Sequence, residues 1–139
     1  MTLTRADYPL AETRPDQVKG KRGKTLAEIT LDAVIIGSVV MEDLRITPKA
    51  LEDQAEIARA AGRPTLALNF ERAAELVEVP QDVIMTVYEL LRPGRAASKQ
   101  VLLDAARTVR ETYHAERIAR FIEEAAATYE ERGLFTFRY

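Results

Sequence analysis

Apolar positions along this chain recur mostly at three- and four-residue intervals, and the residues between the stripes are those that start and stop helices. Thr47 is a good N-cap and Pro48 takes the first helical position, where its missing N–H removes no bond. A helix is therefore predicted from Pro48 to Ala61, with Gly62 as its stop. Leu51, Gln54, Ala55 and Ala58 share one face of it, and Ala50, Ile57 and Ala61 adjoin that face. Pro64 opens a second helix with the stripe Leu66, Phe70, Ala73, Ala74 and Val77. Pro80 opens a third, with Ile84, Val87, Tyr88 and Leu91 on one face and Pro93-Gly94 at its end. Ser98 caps a long last segment striped first by Val101, Leu102, Ala105 and Val109, then by Ile118, Phe121, Ile122, Ala125 and Tyr129. One helix from Lys99 to Arg132 would be long for a small domain, so a bend or break is expected near Thr112–Ala115.

The first third of the chain is less regular. Thr25-Leu-Ala-Glu28 has capping-box spacing, and Thr30 is a second cap, for a helix over Leu31–Ile36 that Gly37 would end. The run Ala33-Val-Ile-Ile is also β-rich, so a strand competes there. A short turn is expected over Met41–Leu44. Residues 1–24, with Pro9, Pro15, Gly20, Gly23 and charges throughout, read as an extended arm, and 25–139 as a single helical domain. The apolar patch Tyr8-Pro9-Leu10 suits an arm lying on another surface. In the tail, Phe135, Phe137 and Tyr139 alternate with Leu134, Thr136 and Arg138; the aromatics either fold back on the chain's own core or dock on a partner. The expected fold class is mainly α: a small irregular helical domain with an extended N-terminal arm and a long C-terminal helical segment.

Composition narrows the function. Hydrophobic residues make up 47% and charged residues 30% of 139, as in a globular chain rather than a disordered one. With no cysteine, disulfides, thiolate metal sites and a Cys nucleophile are excluded. The formal charge is −2 with both signs interspersed, which argues against nucleic acid as a partner. The basic run Lys19–Lys24 reads as a solvated loop ahead of the first helix. No apolar run is long enough to span a bilayer, and the N-terminus lacks a signal-peptide core, so a cytoplasmic protein without a membrane partner is expected.

Reactive constellations are absent. The single histidine, His114, follows Glu111 as E-x-x-H, which a di-iron bundle would need twice, with two further glutamates. A homodimer could supply the second copy; a surface or boundary histidine is the plainer reading. One His in a charged helix makes no catalytic triad. Gly20-Lys-Arg-Gly-Lys-Thr25 has the wrong glycine spacing for a phosphate loop, and no strand precedes it. Glu123/Glu124 and Glu130/Glu131 fall on the expected solvent face of the last helix, and Glu116–Arg120 has the favourable i, i+4 order.

Against this background a set of short motifs stands out: D-Y-P-L at Asp7–Leu10, K-T-L with I-T-L at Lys24–Leu31, and D-L-R-I-T at Asp43–Thr47. Further along come Q-A-x-I-A at Gln54–Ala58, N-F-x-R-A-A-E-L at Asn69–Leu76, V-P-x-D at Val79–Asp82 and Y-x-x-L-R-P at Tyr88–Pro93. F-I-x-E-A-A at Phe121–Ala126, followed by Tyr129, completes the series. In these motifs, in order over about residues 7–132, the chain resembles the small (gamma) subunit of adenosylcobalamin-dependent diol and glycerol dehydratases. The resemblance implies a lyase that converts 1,2-propanediol or glycerol to an aldehyde with loss of water by a radical route. It implies two copies each of large, medium and small subunits, so large and medium subunits are the expected partners. It implies that adenosylcobalamin and a metal ion are held by those other subunits, that the active site is in the large one, and that no catalytic residue carries over here.

Two features depart from the family pattern. Only six residues precede D-Y-P-L, whereas members housed in bacterial microcompartments tend to carry an extension there; the expectation is a freely cytoplasmic enzyme without microcompartment targeting. Gly94 and the L-F-T-F-R-Y ending are also unlike the family. Tyr8, Leu10, Arg45, Arg72, Glu75, Tyr88 and Arg92 are the candidate subunit-interface residues. The competing readings are an intrahelical pair for Arg72 and Glu75, and a core tyrosine beside a helix-end cation for Tyr88 and Arg92. A reading from another class is a free-standing helical adaptor or helix-turn-helix regulator built on Thr47–Arg92.

Overall fold

A computed structural model describes residues 2–135. Its regular elements are helices α1 (Leu10–Thr13), α2 (Leu31–Ile35), α3 (Met41–Leu44), α4 (Pro48–Ala60), α5 (Pro64–Leu76), α6 (Gln81–Leu91), α7 (Lys99–Tyr113) and α8 (Glu116–Glu131). Short 3-10 turns cover Arg5–Asp7, Pro15–Gln17 and Leu26–Glu28. Among the described residues the only β pairing outside helices is an isolated antiparallel bridge, Lys19 with Thr25. No described helix is long and apolar enough to cross a membrane. The chain divides into two compact units that meet at Val77–Glu78.

In the first unit, caps place the helices as the sequence predicts. The Thr47 hydroxyl accepts from Ala50 N at 3.1 Å, and α4 ends at a left-handed Gly62. Thr30 accepts from Ala33 N at 3.2 Å, which settles the ambiguous Ala33–Ile36 run as helix rather than strand. Helices α4 and α5 pack on each other through Ala55, Ala58 and Ala67, with Leu66 and Phe70 closing the flank. Small side chains at such a seam let helix axes approach closely. Ala67, fully buried, was not part of the predicted α5 stripe, and Ala61, placed beside the α4 face, is exposed. Arg59 and Glu71 tie the two helices at 2.7 Å.

The arm is pinned to this unit and carries helical turns of its own. Leu3 and Leu10 are buried with Ile57, and Val18 packs against them. Asp7 organises the turn: it accepts from Thr4 N at 2.7 Å and Thr4 Oγ1 at 2.9 Å, and pairs with Arg14 at 2.5 Å. Those Thr4 bonds, backbone first, and then Arg14 hold its carboxyl below the usual range. The Tyr8–Pro9 peptide bond is cis.

In the second unit, α7 and α8 form the core. Leu102, Ala106 and Val109 meet Ala115, Ile118, Ala119, Ile122 and Ala126, all buried. The buried α8 stripe is shifted from the predicted one: Ala119 and Ala126 are inside, while Phe121 is exposed. The break expected near Thr112–Ala115 falls at His114, whose φ of 56° is left-handed and lets the chain turn between the helices. A left-handed residue with a Cβ carries strain of about 1–2 kcal/mol. His114→Gly is therefore expected to raise the unfolding free energy by about 1 kcal/mol, read as a higher midpoint in urea. Helix α6 lies against α7 with none of its own residues fully buried. The Tyr129 hydroxyl donates to the Leu91 carbonyl, and Phe135 tilts against the Tyr129 ring at 6.3 Å. The start of the tail thus folds back on α8, whereas Thr136, Phe137, Arg138 and Tyr139 lie outside the described residues.

An ion cluster braces the same pair of helices. Arg110 on α7 donates to Glu116 at 2.8 Å and to Glu123 at 2.7 and 2.9 Å, and Arg120 adds a 3.0 Å bond to Glu116. Glu123, assigned to the solvent face from sequence, is instead an interhelical acceptor: it sits where the Arg110 fork can reach it. These bonds hold both carboxyls below their ordinary 4.5 and raise the guanidinium. Since the folded values are the lowered ones, the contribution to stability is complete above pH 4.5 and fades as pH falls through the lowered values. Melting temperature is expected to drop on going from about pH 5 to about pH 3, and Arg110→Met should flatten part of that drop.

Candidate subunit interface

Between α1 and α4 the chain is inside out. Nine large apolar residues from Leu26 to Ile46 are exposed, while the one charged residue buried among the described residues, Asp43, lies in the same stretch. Helix α2 turns Leu31, Val34 and Ile35 outward at i, i+3 and i+4, with Leu31 74% and Ile35 71% exposed, and Ile36 follows at 77%. Helix α3 presents Met41 and Leu44 in the same way, and Ile46 continues the run.

The inward anchors explain why these side chains point out. Ser38 N and Val39 N both donate to the Ala33 carbonyl, at 2.9 and 3.1 Å, and Val39 is buried. The chain then turns back into α3, whose cap is Asp43: its Oδ2 accepts from Val40 N at 2.9 Å and from Arg22 Nη1 at 2.8 Å. With Val39 and Asp43 facing in, the remaining apolar positions face water. Asp43 Oδ1 is buried and has no hydrogen-bond partner among the described residues. Burying a charge in one place while wetting apolar side chains next to it is costly for an isolated fold.

The basic run Lys19–Lys24 is the mostly solvent-exposed loop expected from sequence, and it is held as a turn beside this face. Gly20 N donates to the Lys24 carbonyl at 2.9 Å, Gly23 N to the Gly20 carbonyl at 2.9 Å, and Lys19 bridges to Thr25. Gly20 sits so close to Asp43 that a Cβ there would meet the Asp43 carbonyl oxygen at 2.6 Å. Lys21 reaches Glu42 at 3.6 Å. Thr25, at the end of the run, is committed to a capping box: its N–H and hydroxyl both donate to Glu28, at 2.8 and 3.0 Å, and hold that carboxyl below the usual range.

The residues singled out from sequence are dispersed. Tyr8 is 61% exposed on the rim of an open groove between the arm and the start of α4. Leu10 is internal, part of the first unit's own core. Arg45 is exposed and pairs with Glu42 at 3.0 Å, beside the apolar run. Arg72 and Glu75 are half-buried on α5. Tyr88 is 58% exposed rather than a core tyrosine, and Arg92 is exposed, paired with Glu89 at 3.1 Å. Sequence reasoning missed the exposed run itself, because apolar residues at helical spacing signal burial without saying against what.

His114 is exposed, and among the described residues no three His, Cys, Asp or Glu side chains could hold a metal ion together. Comparison with known proteins agrees with a subunit. Residues 3–136 match the dehydratase small subunit family. The propanediol dehydratase small subunit of Citrobacter freundii is 49% identical over 126 residues, spanning 91% of this chain and 73% of that protein. Its namesake from Salmonella typhimurium is 48% identical over 127 residues, with the same shares covered. The chain belongs to the dehydratase small subunit family.

Proposed function

We propose that this chain is the non-catalytic small subunit of a cobalamin-dependent propanediol dehydratase, which removes water from a 1,2-diol to give an aldehyde. Its work is to stabilise the large subunit that carries the active site, within an assembly of two large, two medium and two small subunits in the cytoplasm. The observation that supports this reading best is the inside-out stretch from Leu26 to Ile46, on a chain in which no metal-holding cluster of His, Cys, Asp or Glu occurs among the described residues. The substrate comes from the names of the two relatives, both propanediol dehydratase subunits. A free-standing adaptor or regulator finds no such support.

Adenosylcobalamin and the metal ion belong, in this reading, to the other subunits. Among the described residues nothing fits either group: the single imidazole stands exposed at a helix end, and the recess between the arm and the start of α4 is an open groove rather than an enclosed cavity. No step of the dehydration is routed through this chain. Co-expression of the large and medium subunits with and without it tests the proposal. Loss of assembled, active enzyme in its absence is expected; full activity and normal assembly of the two alone would end it.

A further inference from the structure

We propose that the apolar face of residues 31–46, with the basic turn 19–24 beside it, is where this chain seats on the large dehydratase subunit. The matching surface would be apolar at its centre and lined with carboxylates at its edge. The inference rests on the subunit reading above and assigns it to a particular face.

Size, chemistry and charge lead to this assignment. Eight large side chains on this face, each two-fifths or more exposed, are on the scale of one side of a standard specific interface, roughly 800 Å² per partner. The most exposed of them, Leu31, Ile35 and Ile36, make few contacts with their own unit, so they are free to serve a partner. The turn carries Lys19, Lys21, Arg22 and Lys24 and no carboxylate of its own; Lys21 is paired with Glu42 and Arg22 with Asp43, so the cationic edge rests on Lys19 and Lys24. The turn is fixed against the face at two points, by Arg22 on Asp43 and by the close approach of Gly20 to the Asp43 carbonyl. A second copy docking face to face through a two-fold axis would meet the same cationic flank, whereas an acid-rimmed apolar surface complements it. The arrangement joins a hydrophobic centre that sets the lifetime of the complex to a charged edge that sets orientation and rate.

The test uses the full chain, tagged and co-expressed with the large and medium subunits. In the triple variant Leu31→Ser, Ile35→Ser, Ile36→Ser, recovery of the large subunit on the tagged chain should fall at least tenfold, with the helical circular dichroism of the chain preserved. Recovery within twofold of wild type would overturn the inference. Should the triple variant lose its helical signal, Lys19→Glu with Lys24→Glu probes the same surface from its edge: association should slow and its salt dependence flatten, and an unchanged salt dependence overturns the charge match. Sedimentation of the chain alone covers the remaining occupant; a dimer abolished by the triple variant, with large-subunit capture intact, would assign the face to a second copy and overturn the proposal. If the wild-type chain captures no large subunit at all, the subunit reading itself fails, not merely this face.

Discussion

Leu102→Ala is expected to lower the unfolding free energy by about 2–5 kcal/mol, and Ile122→Ala by a similar amount. These are the two largest side chains with essentially no exposed surface, one on each side of the α7–α8 seam. Part of the loss is transfer free energy; the rest is the cavity left behind, and its size depends on how far the neighbours can collapse. Here several neighbours are alanines (Ala106, Ala115, Ala119, Ala126), which have no side chain to swing into the gap. The expected value therefore lies toward the upper end of the range. Leu31→Ala, at a residue 74% exposed, is the control and should stay within about 0.5 kcal/mol in the isolated chain. Urea unfolding followed by circular dichroism measures all three. A Leu102→Ala effect under about 1 kcal/mol would show that the seam refills, contrary to this packing argument.

Gly20→Ala is the second change with a large expected effect. The new Cβ would stand 2.6 Å from the Asp43 carbonyl oxygen and 3.3 Å from its carbonyl carbon and Cα, all of them backbone atoms. Backbone cannot rotate away as a side chain can, so the turn or α3 must shift, at about 1–3 kcal/mol. The shift would also pull Arg22 from Asp43, whose buried carboxylate it pairs with at 2.8 Å. Arg22→Ala, which removes the charge-assisted bond without the clash, should cost about 1.5–3 kcal/mol. The two substitutions act on one contact, so their effects should combine to less than their sum. Thermal melts of the single and double variants check this; strict additivity would show that Gly20 and Arg22 act independently.

Much of the fold was legible because this chain marks its helices with local chemistry. Thr47 with Pro48, Thr30, Ser98 and Gly62 act at short range, and their caps form where the sequence places them. The seams were less legible. Periodicity identified α8 as amphipathic but put Phe121 inside, since apolar character ranks Phe above Ala119 or Ala126. Close helix packing reverses that order, because the small residue is the one that fits. Glu123 illustrates a second limit: its partner, Arg110, lies on another helix, and no pattern within α8 points to it. The candidate interface was the least legible part. Named residues such as Arg45 and Tyr88 came from motifs, while Leu31–Ile36 and Met41–Leu44 were read only as short elements, with no exposed face assigned to them. A hydrophobic stripe encodes a demand for cover; whether the cover comes from the same chain is decided by where Val39 and Asp43 anchor the backbone.

That exposed run also bears on how the chain must be made. A polypeptide that leaves the ribosome with Ile35, Ile36 and Leu31 open to water is sticky until something sits on them. Molecules synthesised in excess of their partner would meet one another, or a protease, before they met a binding site. Supply is therefore best matched molecule for molecule to the larger subunits, and the unassembled surplus is the form that quality control would remove first.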